Sequence, residues 1–342
     1  MHEPVFSVIA PIYNEIENLP LLYARVREVM DETGDPWELI LVDDGSKDGS
    51  SDVIRKLAAQ DERVRPVIFA RNFGHQIAVT AGMDYSRGQA VMIIDADLQD
   101  PPEVMLDLIG KWREGYEVVY AVRSEREGES AFKLKTAFMF YRTINKLTDI
   151  DIPMDTGDFR LLDRKVVNVL NNMRERHRFL RGMGAWVGFK SIGVEYKRAA
   201  RHAGVTKYPL KKMLKLALNA VTSFSFVPLQ IATYIGLISA AVAILGIPLV
   251  VILRVLRTPQ LTGQATTLIM VLFLGGVQLI SLGIIGEYIA RIYDEVRGRP
   301  LYIVAEGPSE AHSPIRLDRP KVPEFINPPK GEHDGPYQSG KE

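Results

Sequence analysis

Two uncharged apolar stretches constrain this chain more than any other feature of its sequence. Residues 231–253 run for 23 residues without a charge, and residues 268–286 for 19. A helix rises about 1.5 Å per residue, so either stretch reaches across a hydrocarbon layer of roughly 30 Å. Burying two such helices in a soluble core would need a large protein around them, and the C-terminal half offers none. The expectation is a transmembrane hairpin over 231–290, with helices at about 231–253 and 268–289, closed by the short turn RVLRTPQLTGQATT. Gly275, Gly276, Gly283 and Gly286 would let the helices approach closely. Lys211, Lys212 and Lys215 before the hairpin, and Arg291, Arg297 and Arg299 after it, outnumber Arg254 and Arg257 in the turn. That bias predicts a multi-pass anchor with the large N-terminal domain on the cytoplasmic side. Leu210, Leu214, Ala217, Val221 and Phe224 repeat at helical spacing beside the lysines. Residues 208–230 therefore read as an amphipathic helix lying on the lipid interface. Residues 291–342 form a cytoplasmic tail, which from residue 306 carries seven prolines and many charges and reads as partly disordered.

Ahead of the hairpin the pattern changes. Up to about residue 125, short apolar runs alternate with amphipathic helical segments: PVFSVIAP, NLPLLYARVREVM, WELILVDD, GSSDVIRKLAAQ, VRPVIFA, HQIAVTAGMDYS, QAVMIID, VMLDLIGKWREG and YEVVYAVRS. Strands alternating with helices imply right-handed βαβ units and an α/β fold on a mainly parallel sheet, which gathers ligands at the carboxyl ends of its strands. Residues 126–205 are less regular and rich in basic residues. The whole chain balances 42 basic against 42 acidic residues, so no overall positive field recruits nucleic acid. With no cysteine, disulfides and thiolate sites are excluded. The N-terminus has no basic segment followed by a long apolar run, so no signal peptide is expected.

The chemistry concentrates where strands end. In DADLQDPPE, Asp100, Pro101, Pro102 and Glu103 read as a helix cap with its capping box. Asp95 and Asp97 stand two apart at a strand end, so persisting strand geometry would point both to one face, with Gln99 continuing the alternation. Three oxygen donors on one side suit a hard cation, Mg²⁺ or Mn²⁺, that completes its shell with substrate phosphates. In VDDGSKDGS, Asp43 and Asp44 either accept hydrogen bonds from a base or ribose, or form a polar turn with Ser50 or Ser51 capping the next helix. In APIYNE, Tyr13 could stack on a base and Glu15 reach a ribose, a weak signal by itself. Neither G-x-G-x-x-G nor G-x-x-x-x-G-K-[ST] occurs, which disfavours a dinucleotide enzyme and a P-loop ATPase. Arg123 follows a strand and is a candidate phosphate contact. His75 and His202 read as ordinary hydrogen-bonded loop residues.

APIYNE, VDDGSKDGS, DADLQDPPE, TGDFRLLDR and RHAGVTKY occur in one order ahead of the two apolar stretches. Together they resemble the family 2, GT-A-fold polyprenyl-phosphate glycosyltransferases, a group that includes dolichyl-phosphate mannose synthases, and most closely the bacterial bactoprenol glucosyltransferases. The resemblance covers about residues 4–300. It implies a Rossmann-like GT-A domain over 1–207, with Asp95, Asp97 and Gln99 holding the divalent metal on the donor diphosphate. Pro11, Tyr13 and Glu15 would contact the nucleoside, with Asp43 near the base and Asp44 beside it. Asp158 would lie close to the reacting centre, positioning the acceptor or sugar more than removing a proton. Arg201 and Lys207 would grip the acceptor phosphate, with Arg123 near either phosphate. The implied reaction moves a hexose, glucose first, from a UDP-sugar to undecaprenyl phosphate, inverting the anomeric centre at the cytoplasmic face of a bacterial inner membrane. A homo-oligomer is also implied. Other donors (a UDP-amino-arabinose derivative, UDP-GlcNAc, GDP-mannose) remain open. A processive polysaccharide synthase would show Q-x-x-R-W and more spans, and an intact D-x-D with its Gln argues against a non-enzymatic scaffold.

Overall fold

The computed structural model describes residues 3–125, 156–197, 227–255 and 264–308. Arg201, Lys207, most of the 208–230 segment and the tail beyond residue 308 lie outside these residues. Eight strands form one sheet in the order β7-β5-β6-β4-β1-β2-β3-β8. They are β1 (Phe6–Ile12), β2 (Trp37–Asp43), β3 (Val64–Phe69), β4 (Ala90–Ile93), β5 (Val118–Glu125), β6 (Thr156–Asp163), β7 (Ser191–Lys197) and β8 (Val304–Glu306). β1 pairs in parallel with β2 and β4, β2 with β3, and β5 with β7, whereas β6 runs antiparallel between β4 and β5.

β1 and β2 are buried along their whole lengths, which is why FSVIAPI and WELILVD read as near-continuous apolar runs rather than alternating ones. The helices that cover them are α1 (Leu19–Glu32), α2 (Ser50–Gln60), α3 (His75–Tyr85), α4 (Val104–Arg113), α5 (Arg164–Asn172) and α6 (Leu180–Trp186). One core layer joins Phe6, Val8 and Leu39 to Leu22 and Val26 of α1 and Met105 and Leu108 of α4. The other joins Ile9, Ile40 and Val67 to Val79 and Met83 of α3, Val166 of α5 and Met183 of α6. Successive β1 residues feed opposite layers, as the pleat demands. Gly82 lets α3 settle onto β1, since a Cβ there would lie 2.2 Å from Ile9 Cγ2.

The sequence pattern anticipated the first five strands and the helices between them. It did not show β6, because TGDFRLLD carries two charges that the fold buries on purpose: Asp158 and Arg160 are 6% and 5% exposed. The cap expected at DPPE does not form. The residue preceding α4 is Glu103, which makes no side-chain cap bond and instead holds Arg25 through contacts of 2.6–3.1 Å. Asp100 is fully buried, accepting from the Tyr196 hydroxyl with Arg123 Nη2 3.9 Å away.

The apolar stretches form α7 (Val227–Val255) and α8 (Gln264–Val296), both longer than the uncharged cores expected from sequence. Within them Val227–Gly246 and Phe273–Val296 are long and apolar enough to cross a membrane. Leu237, Leu245, Leu279 and Leu282 are each more than 60% exposed, the opposite of what helices in a soluble core show.

Candidate active site

Four loops at the carboxyl edge of the parallel strands build the site. The loops after β1 and β2 are stitched together. Asn14, in the left-handed region at φ 55°, donates its N–H to Ser46 Oγ at 3.0 Å and accepts from Lys47 N at 2.8 Å. Glu15 N donates to Ser50 Oγ and Ile16 N to Asp48 Oδ2, each at 3.1 Å. Tyr13 stands 40% exposed on this wall, whereas Pro11 is buried within β1. Glu15 Oε2 accepts from Asn18 Nδ2 at 2.7 Å.

Both carboxylates of the VDDGS turn face inward. Asp43 accepts from Ser46 N at 2.9 Å and from the Ser51 hydroxyl. Asp44 accepts from Phe73 N at 2.6 Å, Gly74 N at 2.9 Å and Asn72 Nδ2 at 2.9 Å. Burial pushes its carboxyl up from the ordinary aspartate value despite those N–H groups. Gly45 completes the turn at φ 70°, where a Cβ would sit 2.6 Å from the Arg71 carbonyl carbon. The second turn thereby fixes residues 72–74 and hands the chain to α3 with His75 in place.

β4 ends at Ile93, so Asp95 and Asp97 stand on a turn rather than on a continuing strand. The alternation survives: residues 95, 97 and 99 are partly exposed while 96, 98 and 100 are buried. Leu98 occupies the left-handed region at φ 58°, and Asp97 Oδ1 accepts from Gln99 N at 3.2 Å. A leucine in that region is strained, a cost typical of functional turns.

Behind this turn Asp158, expected near the reacting centre, gathers partners that the sequence motifs did not reveal. Asp158, on β6, is 6% exposed. Its Oδ2 receives His75 Nε2 at 3.0 Å and Gln76 Nε2 at 3.1 Å, and its Oδ1 receives Arg181 Nε at 2.8 Å. Arg160 lies 3.9 Å from the same carboxylate. His75 Nε2 is also 3.7 Å from Asp95 Oδ1, so the imidazole bridges the two aspartates while 38% of its side chain stays accessible. Burial alone would lower the imidazolium pKa; the Asp158 hydrogen bond and the Asp95 and Asp158 charges outweigh it and push it up to about 9. Burial and neighbouring carboxylates lift Asp95 to about 6 against the pull of His75. For Asp158 the burial penalty is overcome by Arg181 and His75, which hold it well below the usual carboxylate range. His75, six residues past the end of β3 and first in α3, lies at the strand carboxyl ends where ligands gather, but as a single histidine it carried no pattern. Arg181 had no signal beyond the general run of basic residues. Arg123 borders the cluster: its Nε donates to Tyr196 Oη at 3.2 Å, and a Cβ on Gly157 would meet its Nη2 at 2.7 Å.

Among the described residues no three His, Cys, Asp or Glu side chains form a preformed metal cage. Asp95 and Asp97, with the Gln99 amide, are a hard oxygen donor set. That set fits a cation that takes its remaining ligands from a diphosphate.

A parallel-centred sheet with its polar site at the strand ends and an apolar hairpin behind it defines a class before it defines a protein. The chain belongs to glycosyl transferase family 2: the model "Glycosyl transferase family 2" matches residues 7–170, and "GtrB C-terminal hairpin" matches residues 227–292. It is a glycosyltransferase with a GT-A-like fold and two apolar helices long enough to cross a membrane. The uncharacterized glycosyltransferase YkcC of Bacillus subtilis (strain 168) is 52% identical over 87% of this chain and 93% of its own. The bactoprenol glucosyl transferase of Shigella phage SfII is 44% identical over 87% and 96%. The prophage bactoprenol glucosyl transferase homolog of Escherichia coli (strain K12) is 43% identical over 87% and 97%.

Proposed function

We propose that this enzyme transfers glucose from UDP-glucose to a polyprenyl phosphate, undecaprenyl phosphate in a bacterial inner membrane, with inversion at the anomeric carbon. The observation that carries the reading is the 44% identity to a bactoprenol glucosyl transferase across both the catalytic domain and the hairpin. The site's charge distribution supports it. Asp95 and Asp97, with Gln99, would hold a divalent cation, Mg²⁺ or Mn²⁺, whose chemistry is to neutralise charge on a departing diphosphate. Tyr13 and Glu15 on the β1 loop, near the buried Pro11, would border the nucleoside. Asp44, whose oxygens accept from residues 72–74, would act mainly through the turn it braces, whereas Asp43, with one hydrogen bond on each oxygen, would keep lone pairs for the base.

Asp158 is ionised and saturated with donors, so it holds His75, Gln76 and Arg181 in register instead of taking a proton. A proton acceptor is not required, since a phosphate monoester is already mostly ionised near neutral pH, with a second pKa of about 6. His75 beside Asp95, and Arg181 on the far side of Asp158, would supply positive charge near where negative charge builds as the sugar–phosphate bond breaks. Arg123, Arg201 and Lys207 are assigned to the phosphates. The domain division follows: a cytoplasmic catalytic domain over 1–207, an interfacial helix over 208–230, a two-pass hairpin over 231–290 and a tail, in a homo-oligomer.

The test is a panel of radiolabelled UDP-glucose, UDP-GlcNAc, a UDP-amino-arabinose derivative and GDP-mannose, each incubated with the full chain and undecaprenyl phosphate and then extracted into organic solvent. Label from UDP-glucose is expected in the lipid phase. Label from a different donor alone would reassign the sugar, and label from none would overturn the reading.

A further inference from the structure

The segment leaving the second apolar helix is fastened to the catalytic domain along its whole length. At the end of α8, Glu295 accepts the Arg176 backbone N–H at 2.7 Å, Asp294 lies 3.6 Å from His177, and Arg176 donates to the Arg299 carbonyl. Tyr302 is buried: its ring stacks on Phe69 with centroids 5.1 Å apart, and its hydroxyl donates to Asp84 at 2.8 Å, a carboxylate that Arg174 also grips. Ala70 N donates to the Ile303 carbonyl at 3.0 Å, and β8 adds antiparallel to β3. Arg55 closes the run with bonds of 2.9 and 2.7 Å to Glu306.

The anchor points are informative. Asp84 lies in the last turn of α3, the helix whose first residues, His75 and Gln76, bind Asp158. Residues 174–177 lead directly into α6, where Leu180 N donates to Gln76 Oε1 at 3.0 Å and Arg181 binds Asp158. The chain emerging from the apolar hairpin thus docks on the two elements that carry the charged cluster. Covering the β3 edge against stray pairing would account for β8 alone. It does not account for the attachments at 294–302, where the exposed ion pairs add little and the buried Tyr302 supplies most of the hold.

We propose that residues 294–306 are a strap that fixes the catalytic site relative to the membrane hairpin, so that a phosphate carried by a bilayer lipid meets it in one orientation; Glu295 and Tyr302 are positioning residues. This rests on the acceptor being a polyprenyl phosphate. Reacting groups held in one geometry gain rate that a misplacement of about 1 Å forfeits. A soluble acceptor, free to approach from any side, has no such dependence.

The full chain, in vesicles of phosphatidylethanolamine and phosphatidylglycerol with radiolabelled UDP-glucose, is offered undecaprenyl phosphate in the bilayer or geranyl phosphate in solution. Tyr302→Ala is expected to lower kcat/KM for undecaprenyl phosphate about tenfold or more, and Asp294→Ala with Glu295→Ala, which removes only the weaker exposed contacts, about threefold. Values for geranyl phosphate and the KM for UDP-glucose stay unchanged. The exposed acidic pair decides the matter should Tyr302→Ala fail to fold. Equal losses on both acceptors, or no loss on undecaprenyl phosphate, would overturn the strap. Docking has its own readout, because the chain has no cysteine. Ile68 and Glu306 are directly opposed across β3 and β8, so Ile68→Cys with Glu306→Cys is expected to cross-link on oxidation. Absence of the cross-link contradicts the strap even if transfer proceeds. A double-cysteine variant that cross-links, beside an unmodified enzyme that serves neither acceptor, would contradict the proposed reaction instead.

Discussion

At Asp158 both carboxylate oxygens accept hydrogen bonds, from His75 and Gln76 on one side and Arg181 on the other. A carboxylate so placed acts through the cations it holds. Replacing it by asparagine keeps the shape and removes the charge, leaving His75 and Arg181 without their shared counter-ion. Asp158→Asn is expected to lower kcat about 100-fold, by analogy with loss of a preorganised charge-stabilising group. The deficit should widen from about pH 6 to about pH 9, because without Asp158 the His75 imidazole loses the partner that holds its pKa near 9 and with it the positive charge. A deficit that vanishes at alkaline pH would mean a proton-transfer role after all. The D-x-D pair was legible as chemistry because strand-end carboxylates without obvious partners stand out, whereas Asp158 was legible only through the resemblance carried by TGDFRLLDR. His75 was not, since a single histidine in a loop carries no pattern and its meaning arises only when β6 brings Asp158 beside it. Asp43 and Asp44 were legible as important, but the sequence alone cannot show that backbone N–H groups from residues 73 and 74 occupy Asp44.

Among the elements, the turn after β2 is the one on which the site most depends. Asp44→Ala would strand the partly buried Phe73 and Gly74 N–H groups and free the Asn72 amide. A loss of about 3 kcal/mol is expected in chemical unfolding of the detergent-solubilised chain. A change below 0.5 kcal/mol, roughly the level of ordinary surface substitutions, would show that the loop holds without it. The junction of α2 and β3 offers a pH test. Arg63, through its side-chain hydrogen bonds, together with the Tyr23 hydroxyl, lowers Asp61 from 3.8 to about 2. A carboxyl depressed on folding stabilises the protein above the unfolded pKa, and that contribution is lost as pH falls through the folded one. Stability should therefore drop between about pH 4 and pH 2 by up to about 2 kcal/mol more in the unmodified chain than in Asp61→Asn. Parallel slopes in the two proteins would contradict the assignment. The helices and parallel strands were legible because burial on two faces imposes continuous apolar runs. β6 was not, because its buried Asp158 and Arg160 break that run, and Glu103 could be taken for a cap because its ion pair with Arg25 joins residues 78 positions apart.

At the scale of the whole molecule, hydropathy divides the chain into an α/β unit and an apolar hairpin, and the strap from residues 294 to 306 ties the second back to the first. That return was invisible in the sequence, where LYIVAEGP looks like the start of a charged, proline-rich tail; only the β3 edge and the Asp84 carboxylate give it a place. The central claim is that Asp95 and Asp97 hold a divalent cation against a diphosphate while the lipid-borne phosphate takes the sugar. Its most direct measurement is organic-phase label from UDP-glucose and undecaprenyl phosphate, with the full chain and its Asp97→Asn variant, titrated with Mn²⁺ after chelation. The account predicts no transfer without the cation, restoration on adding it, and a loss of about 100-fold or more in the variant. Full transfer in excess chelator, or an Asp97→Asn enzyme equal to the unmodified one, would contradict it.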